Sequence, residues 1–193
     1  MIEKFISGAA VIDNTVLSNF SKTESFHLIK KTLKGIPIIT LSVKKEAVVK
    51  PDIEPDITKA IDEGWLKVDT LKGRQALRDY HMLSKKFQEV PSPKAKLGDG
   101  EAASLVYAHY NNCVLFTDDN GPKKRATDYG VQTAGTLAIL YFAYAQYGFL
   151  DISNCNTLFL EMKEKGGFFP RRFNSFEDAV PEMEDKFMFS SKF

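Results

Sequence analysis

Two short apolar runs of this chain, far apart in sequence, each end in acidic residues. Residues 9–12 lead directly to Asp13, and residues 113–117 lead to the pair Asp118 and Asp119. An aspartate at the end of a buried strand loses hydration, which is unfavourable unless its carboxylate has a partner. The two runs therefore predict buried strands and indicate a binding site at their ends.

Segments of strand and helix character alternate along most of the 193 residues. Short apolar runs predict strands, and apolar residues at helical spacing between them predict helices. The predicted strands are residues 9–13, 36–40, 65–68, 113–117 and 131–133. The predicted helices are residues 16–33, 42–50, 56–63, 74–88, 99–108 and 123–129, a run starting at 136, and residues 158–162. This alternation predicts one α/β domain with parallel strands joined by right-handed crossovers.

Two segments break the alternation. Residues 91–96 contain two prolines, which predicts a surface loop. The chain after Pro170 is rich in phenylalanine, and we expect this part to pack as a lid or a partner surface. Its phenylalanines are Phe173, Phe176, Phe187, Phe189 and Phe193.

Charge and cysteine content exclude several classes of protein. The chain has 26 basic and 25 acidic residues and a net charge of +1, which argues against a protein that binds nucleic acid over its whole surface. Binding would have to use a local patch, and the best candidate to hold a phosphate backbone is the cluster Lys123, Lys124 and Arg125, since it follows the acidic pair closely. Cys113 and Cys155 are too few for a zinc knuckle or a disulfide scaffold.

The N-terminus has no positively charged segment followed by a long apolar one, so it does not resemble a secretory signal. The most apolar stretch, residues 136–149, is too short for a membrane-spanning helix. We therefore expect a cytoplasmic protein.

The acidic residues are predicted to converge. Ligands of open parallel sheets bind beyond the carboxyl ends of the strands, so Asp13, Asp118 and Asp119 would face one crevice if their strands are neighbours. Glu46 and Glu101 are expected in the first turns of helices on the same rim. Clustered carboxylates repel each other unless a cation neutralises them, and oxygen ligands suit Mg²⁺ or Mn²⁺. Such an ion can activate water for phosphodiester hydrolysis.

The ordered motifs of the chain resemble those of PIN-domain ribonucleases. The matching positions are residues 13–17, Glu46, residues 97–102, residues 117–119, Ala126, Gly130 and residues 135–136. Their combination is more specific than any one motif. The resemblance implies a PIN-like (flavodoxin-like) three-layer α/β fold with a central parallel sheet flanked by helices. It assigns residues 1–170 to a nuclease domain and leaves residues 171–193 as an aromatic C-terminal extension, packed or partner-binding.

The same resemblance implies roles for single residues. Four acids are implied to be catalytic and to bind metal: Asp13, Glu46, Glu101 and Asp119. Asp118 is adjacent and could share or replace the metal-binding role of Asp119. Thr15 and Thr117 match hydroxyl residues that orient ligands or waters around a metal. Asp99 is either a further acid of this surrounding layer or the cap of the helix that follows.

We therefore hypothesise a Mg²⁺- or Mn²⁺-dependent endoribonuclease that cuts single-stranded RNA. If the resemblance extends to VapC-type toxins, we also expect a small antitoxin as a partner and a homodimer. The alternative is a non-catalytic interaction module with the same fold. Two kinds of phosphotransfer protein with parallel sheets are disfavoured. A haloacid-dehalogenase-like phosphatase needs an aspartate where Thr15 stands, and a receiver domain needs its acidic pair at the first strand.

Overall fold

The described part of the protein contains one five-stranded parallel sheet. The structure is a computed structural model that describes residues 2–92 and 94–189. The strands are β1 (Ala10–Ile12), β2 (Ile38–Thr40), β3 (Lys67–Asp69), β4 (Val114–Phe116) and β5 (Thr133–Ala134). Their order across the sheet is β3-β2-β1-β4-β5, and all neighbours are parallel. All the predicted strands are present, each shorter than predicted.

The central strand β1 pairs directly with β4. Ala10 lies opposite Val114 and Ile12 lies opposite Phe116. Beyond the strand end, the backbone N–H of Asp13 donates to the carbonyl of Phe116 at 2.8 Å. The two strands that end in acidic residues are therefore neighbours, which is the condition on which the predicted convergence of their acids depends.

Helices cover both faces of the sheet. They are α1 (Ile2–Ile6), α2 (Asn14–Lys22), α3 (His27–Thr32), α4 (Leu41–Ala47), α5 (Glu54–Asp62), α6 (Arg74–Leu83), α7 (Asp99–Tyr110), α8 (Asn120–Ala126), α9 (Thr136–Tyr141), α10 (Ile152–Glu164) and α11 (Val180–Glu184). Because side chains alternate along a strand, Ile12 and Phe116 pack with α2, α9 and α10, whereas Val11 and Leu115 pack with α6 and α7. This is the three-layer α/β fold predicted from the sequence. No helix within the described residues has the length and apolar character needed to cross a membrane.

One predicted helix, residues 16–33, is divided into α2 and α3 by residues 23–26. Glu24 adopts the left-handed conformation, with φ of 53°. The N–H and the hydroxyl of Ser25 both donate to the carbonyl of Phe20, at 2.9 and 3.3 Å. These local bonds compete with the helical pattern and end α2, so the prediction of one continuous helix is wrong.

The predicted helix over residues 74–88 ends early, at Leu83. The N–H of Leu97 donates to the carbonyl of Leu83, and the N–H of Lys85 donates to the carbonyl of Leu97, both at 2.8 Å. This bridge turns the chain out of the helix and connects the end of α6 to the segment before α7.

The aromatic tail packs on the same core as the rest of the chain. The ring of Phe187 lies 5.0 Å from that of Phe5 and 4.8 Å from that of Phe142, both edge-on. Phe173 and Phe176 are buried in the same cluster. Three predicted features lie outside the described part: Pro93 of the loop, the side chain of Phe189, and Phe193.

Candidate active site

Asp13 follows β1 and precedes the first residue of α2. Its side chain is buried; Oδ1 accepts the N–H of Asn14 at 2.8 Å, and Oδ2 accepts the hydroxyl of Thr117 at 2.9 Å. The pKa of Asp13 is raised to about 7, first by burial and then by the carboxylates of Asp119 and Glu101, against the effect of its two hydrogen bonds. A nearby cation would favour the charged form.

Two threonines connect the segment after β4 to the residues around the start of α2. The hydroxyl oxygen of Thr117 accepts the N–H of Asp119 at 3.2 Å while its proton goes to Asp13. The hydroxyl oxygen of Thr15 accepts the N–H of Asp118 at 3.2 Å. Each hydroxyl thus fixes the position of an acidic residue.

Glu101 lies in the first turn of α7 and faces Asp119. Its Oε2 accepts the N–H of Gly98 at 2.7 Å. The pKa of Asp119 is raised to about 6 by burial and by the charges of Glu101 and Asp118, while the charge of Lys123 lowers it. Asp13, Glu101 and Asp119 therefore form one mutually repelling group, which we call the acidic triad.

Glu46 lies in the last turn of α4, not in an early turn as predicted. The helix begins at Leu41, and the hydroxyl of Thr40 caps it by accepting the N–H of Val43 at 3.3 Å. The cap lies at the very end of β2, so the helix starts and finishes earlier than its sequence pattern indicates.

Glu46 borders the acidic triad on the side of Glu101. Its Oε1 accepts the N–H of Gly100 at 2.8 Å. A Cβ atom at position 100 would lie 2.6 Å from Glu46 Oε2, so glycine permits this close approach. Burial raises the pKa of Glu46, and the charges of Asp99 and Glu101 raise it as well.

Asp99 does not cap α7, which corrects one of its two predicted roles. The cap position is Gly98, and its N–H is bonded to Glu101. The carboxylate of Asp99 instead accepts the hydroxyls of Tyr80 and Ser84 from the end of α6. Asp99 thereby holds α6 against α7, beside Glu46.

Asp118 is adjacent to Asp119, but its carboxylate is buried in a different set of contacts. Its Oδ1 accepts the N–H of Thr136 at 3.0 Å, and its Oδ2 accepts the hydroxyl of Thr136 and the side-chain amide of Asn19. Since Thr136 begins α9, Asp118 caps that helix from another part of the chain. Burial raises the pKa of Asp118, while Lys123 and the hydrogen bonds lower it.

The three basic residues predicted to contact RNA lie on α8. The ammonium of Lys123 donates to the carbonyl of Asp118 at 2.9 Å, and the guanidinium of Arg125 donates to the carbonyl of Ala95 at 2.6 Å. Lys124 is exposed. Two of the three therefore also hold the backbone around the site.

The donor chemistry of this region suits a hard divalent cation. Besides the carboxylates, the buried Oδ1 of Asn14 has no hydrogen-bond partner among the described residues, and Asn14 lines a cavity of about 180 Å³ together with Thr15 and Asp119. A buried oxygen without a donor is unfavourable, and Mg²⁺ or a water would satisfy it.

The carboxylates are not preformed as an ion site. Within residues 2–92 and 94–189, no three Asp, Glu, His or Cys side chains are arranged to hold an ion as they stand. Metal binding would have to draw the carboxylates together.

Asn19 also belongs to this region, although it was not among the predicted site residues. Its side-chain amide donates to both Asp118 and Thr136, each at 3.0 Å. Thr15 and Asn19 are four residues apart on α2, so they share a helix face. The repetition of polar residues along this face was the available signal.

The chain is similar to known proteins over most of its length. Residues 9–175 match the family model DUF3368, described as a PIN domain. Among solved structures, the chain resembles a PilT N-terminus domain protein from the hyperthermophilic archaeon Sulfolobus solfataricus, with 18% sequence identity and a TM-score of 0.48, over 68% of this chain and 89% of that chain. No curated protein gives a significant match. From the extent of the family match, the chain belongs to the PIN-domain family, whose members are generally nucleases.

Proposed function

We propose that the protein is a Mg²⁺- or Mn²⁺-dependent endoribonuclease that hydrolyses phosphodiester bonds of single-stranded RNA. The observation that carries the proposal is the acidic triad. Asp13, Glu101 and Asp119 come from separate segments and repel each other beyond the carboxyl ends of β1 and β4. The raised pKa values of Asp13 and Asp119 mean that their charged forms reduce the stability of the fold at neutral pH, so a binding role explains the arrangement better than a structural one.

The acidic triad and Glu46 would hold the ion, and Asn14 could supply a neutral oxygen. A bound divalent ion neutralises charge on a phosphoryl group and activates water. Thr117 keeps Asp13 and Asp119 in a fixed mutual position through its two hydrogen bonds. In this proposal Asp118 acts indirectly, because its contacts fix the backbone that carries Asp119.

Positive charge on α8 would hold the RNA backbone beside the acidic triad. Lys124 is exposed there, and Lys123 lies one residue earlier, bonded to the carbonyl of Asp118. Contacts of this kind are made to phosphates and carry no sequence information. We therefore expect cleavage of several unrelated single-stranded RNAs.

The test is cleavage of mixed-sequence single-stranded RNA by the wild type and by Asp13→Asn, with Mn²⁺ and with a chelator. Metal-dependent charge stabilisation contributes several kcal/mol, so Asp13→Asn should lose at least about a hundredfold in rate. The matched control is Asp128→Asn, since Asp128 is exposed on the surface and paired with Lys94. Undiminished cleavage by Asp13→Asn, or full activity in chelator, would refute the proposal.

A non-catalytic interaction module with a PIN fold is the second candidate. The observation in its favour is that no described group of acids is arranged to hold an ion as it stands. Calorimetric titration with Mn²⁺ separates the two, because carboxylate-dependent binding that Asp13→Asn abolishes supports the enzyme. Absence of binding supports the module.

The toxin role, with a small antitoxin as inhibitor and a homodimer, stays a prediction. It would be supported if expression of the protein arrested growth of a bacterial host while Asp13→Asn did not. A protein encoded beside it that relieves the arrest would be the antitoxin.

A further inference from the structure

A cavity of about 290 Å³ lies between the aromatic tail and the segments that follow β4 and β5. We call it the tail cavity. Its lining includes Lys123, Gly135, Phe168, Arg172, Lys186 and Phe187. Asp118 and Asn120 line it as well, so the tail cavity borders the segment that carries Asp119. Its volume is near the lower end of the range of small-ligand sites, about 300 Å³.

Phe168 lines the tail cavity on the side where that cavity adjoins a second one. It also lines the smaller cavity that contains Asn14 and Asp119. The side chain of Phe168 is 53% exposed, whereas the next residue, Phe169, is 6% exposed and packs on Phe159 with ring centroids 4.8 Å apart. An exposed aromatic ring between two cavities is the arrangement expected of a surface on which a base stacks.

The backbone before Phe168 is held in a tightly packed turn. Gly166 has φ of 85°, a conformation that favours glycine. At Gly167 a Cβ atom would lie 2.7 Å from Asn19 Oδ1 and 2.7 Å from the carbonyl of Met162, so this segment is tightly packed against α2 and α10. Asn19 also donates to Asp118, so it connects the segment before Phe168 to the segment that carries Asp119.

The tail cavity has two lysines that form no ion pair with a carboxylate of the described residues. Lys123 donates to the carbonyl of Asp118 and Lys186 to the carbonyl of Thr133, each at 2.9 Å. Packing lowers the pKa of Lys186, the charge of Lys123 lowers it as well, and Glu182 opposes this. An anion between the two lysines would relieve their repulsion.

We propose that the tail cavity binds one nucleotide of the substrate strand next to the cleaved bond, with its base on Phe168 and its phosphate near Lys123 and Lys186. This inference rests on the proposed function, since the occupant is a nucleotide of the single-stranded RNA. The aromatic tail then forms a wall of the RNA-binding groove, on the side of the acidic triad toward β5.

The test measures RNA binding separately from cleavage. Asp13→Asn is the background, and a fluorescein-labelled mixed-sequence RNA of about eight nucleotides is the probe, followed by fluorescence anisotropy in Mn²⁺ and in chelator. Phe168→Ala should weaken binding about tenfold, while Phe168→Tyr, which keeps the ring, should bind as tightly as the background. The matched control is Phe149→Ala, since Phe149 is also exposed and lies beside Tyr147, away from the site. Lys186→Gln should reduce the slope of log affinity against log salt by about 0.7.

Two further readouts separate this inference from the nuclease proposal. In the active protein, Phe168→Ala should lower RNA cleavage by a larger factor than it lowers hydrolysis of bis(p-nitrophenyl) phosphate, because only the RNA loses the binding of a stacked base beside the cleaved bond. If the wild type cleaves neither substrate, the nuclease proposal fails, and the anisotropy result still decides whether the cavity binds RNA. Equal RNA affinity of Phe168→Ala and the background, with matched melting temperatures, overturns the tail-cavity inference.

Discussion

Asp118 and Asp119 are neighbours with the same side chain, yet the fold gives them opposite surroundings. The carboxylate of Asp118 accepts hydrogen bonds from Thr136 and Asn19. The carboxylate of Asp119 faces Glu101, whose charge helps to raise its pKa to about 6. The first links β4 to two helices, and the second adds to the repulsion within the acidic triad. Donors around a carboxylate, and not its position at a strand end, therefore decide between structural support and binding.

The largest effect is expected from breaking the surroundings of Asp118 at Gly135. A Cβ atom there would collide with Asp118 Oδ1 and lie 3.0 Å from the carbonyl of Thr117. Gly135→Ala should therefore lower the free energy of unfolding by about 3 kcal/mol, because backbone and a buried carboxylate must both move. Urea denaturation measures this change.

Gly130→Ala is the matched control for that measurement. Gly130 has φ of 62° and no atom within 4 Å of an added Cβ, so only the backbone conformation opposes alanine. We expect a loss of about 1 kcal/mol. Equal losses in the two variants would mean that the contact between Gly135 and Asp118 is not the tight one described.

The sheet could be predicted from the sequence because its central strands are apolar at every position. All three residues of β1 and of β4 are buried, so each strand appears as a short apolar run. The rule that ligands bind beyond the carboxyl ends of neighbouring strands then placed Asp13 and Asp119 together. Helix ends were less predictable, because the hydroxyl of Thr40 and the turn at Ser25 set them through local hydrogen bonds.

The different roles of Asp118 and Asp119 could not be predicted, because they depend on residues that are distant in the sequence. Asn19 is 99 positions from Asp118, and Thr136 is 18 positions from it. Nothing in the local sequence indicates that these side chains meet. The position of Phe168 beside the site was missed for the same reason, since Gly167 fits against Asn19 only in the folded chain.

Replacing each aspartate separately by asparagine tests the comparison directly. Asp118→Asn places an amide donor opposite the donors of Asn19 and Thr136, so at least one charged hydrogen bond is lost. We expect the free energy of unfolding to fall by about 2 kcal/mol. Asp119→Asn removes a repelled carboxylate and should leave stability in chelator unchanged or slightly higher.

The effect on activity should be the reverse, with the larger loss of cleavage in Asp119→Asn. Asp119→Asn should abolish Mn²⁺-dependent cleavage in a fully folded protein, whereas Asp118→Asn should retain cleavage at temperatures where it remains folded. Loss of cleavage in folded Asp118→Asn, with normal stability, would assign the carboxylate of Asp118 to the metal as well.

The smallest effect concerns Asp13 and depends on pH. The pKa of Asp13 is raised from 3.8 to about 7 in the folded protein, mainly by burial, so the folded state holds this proton more tightly than the unfolded chain. The stability that protonated Asp13 contributes is therefore complete below pH 4 and is lost as pH rises through 7.

The variant Asp13→Asn tests this dependence, because asparagine does not titrate and still accepts the N–H of Asn14. In chelator, thermal melts should show Asp13→Asn about 1 kcal/mol less stable than the wild type at pH 5, because one hydrogen bond is weakened. At pH 8 it should be about 1 kcal/mol more stable, since the wild type loses roughly 2 kcal/mol between these pH values. Excess Mn²⁺ should reverse the order at pH 8, since only the wild type gains free energy from the ion. A wild type that is more stable than Asp13→Asn at pH 8 in chelator would mean that the charged carboxylate of Asp13 does not destabilise the fold, and the contrast with Asp118 would then disappear.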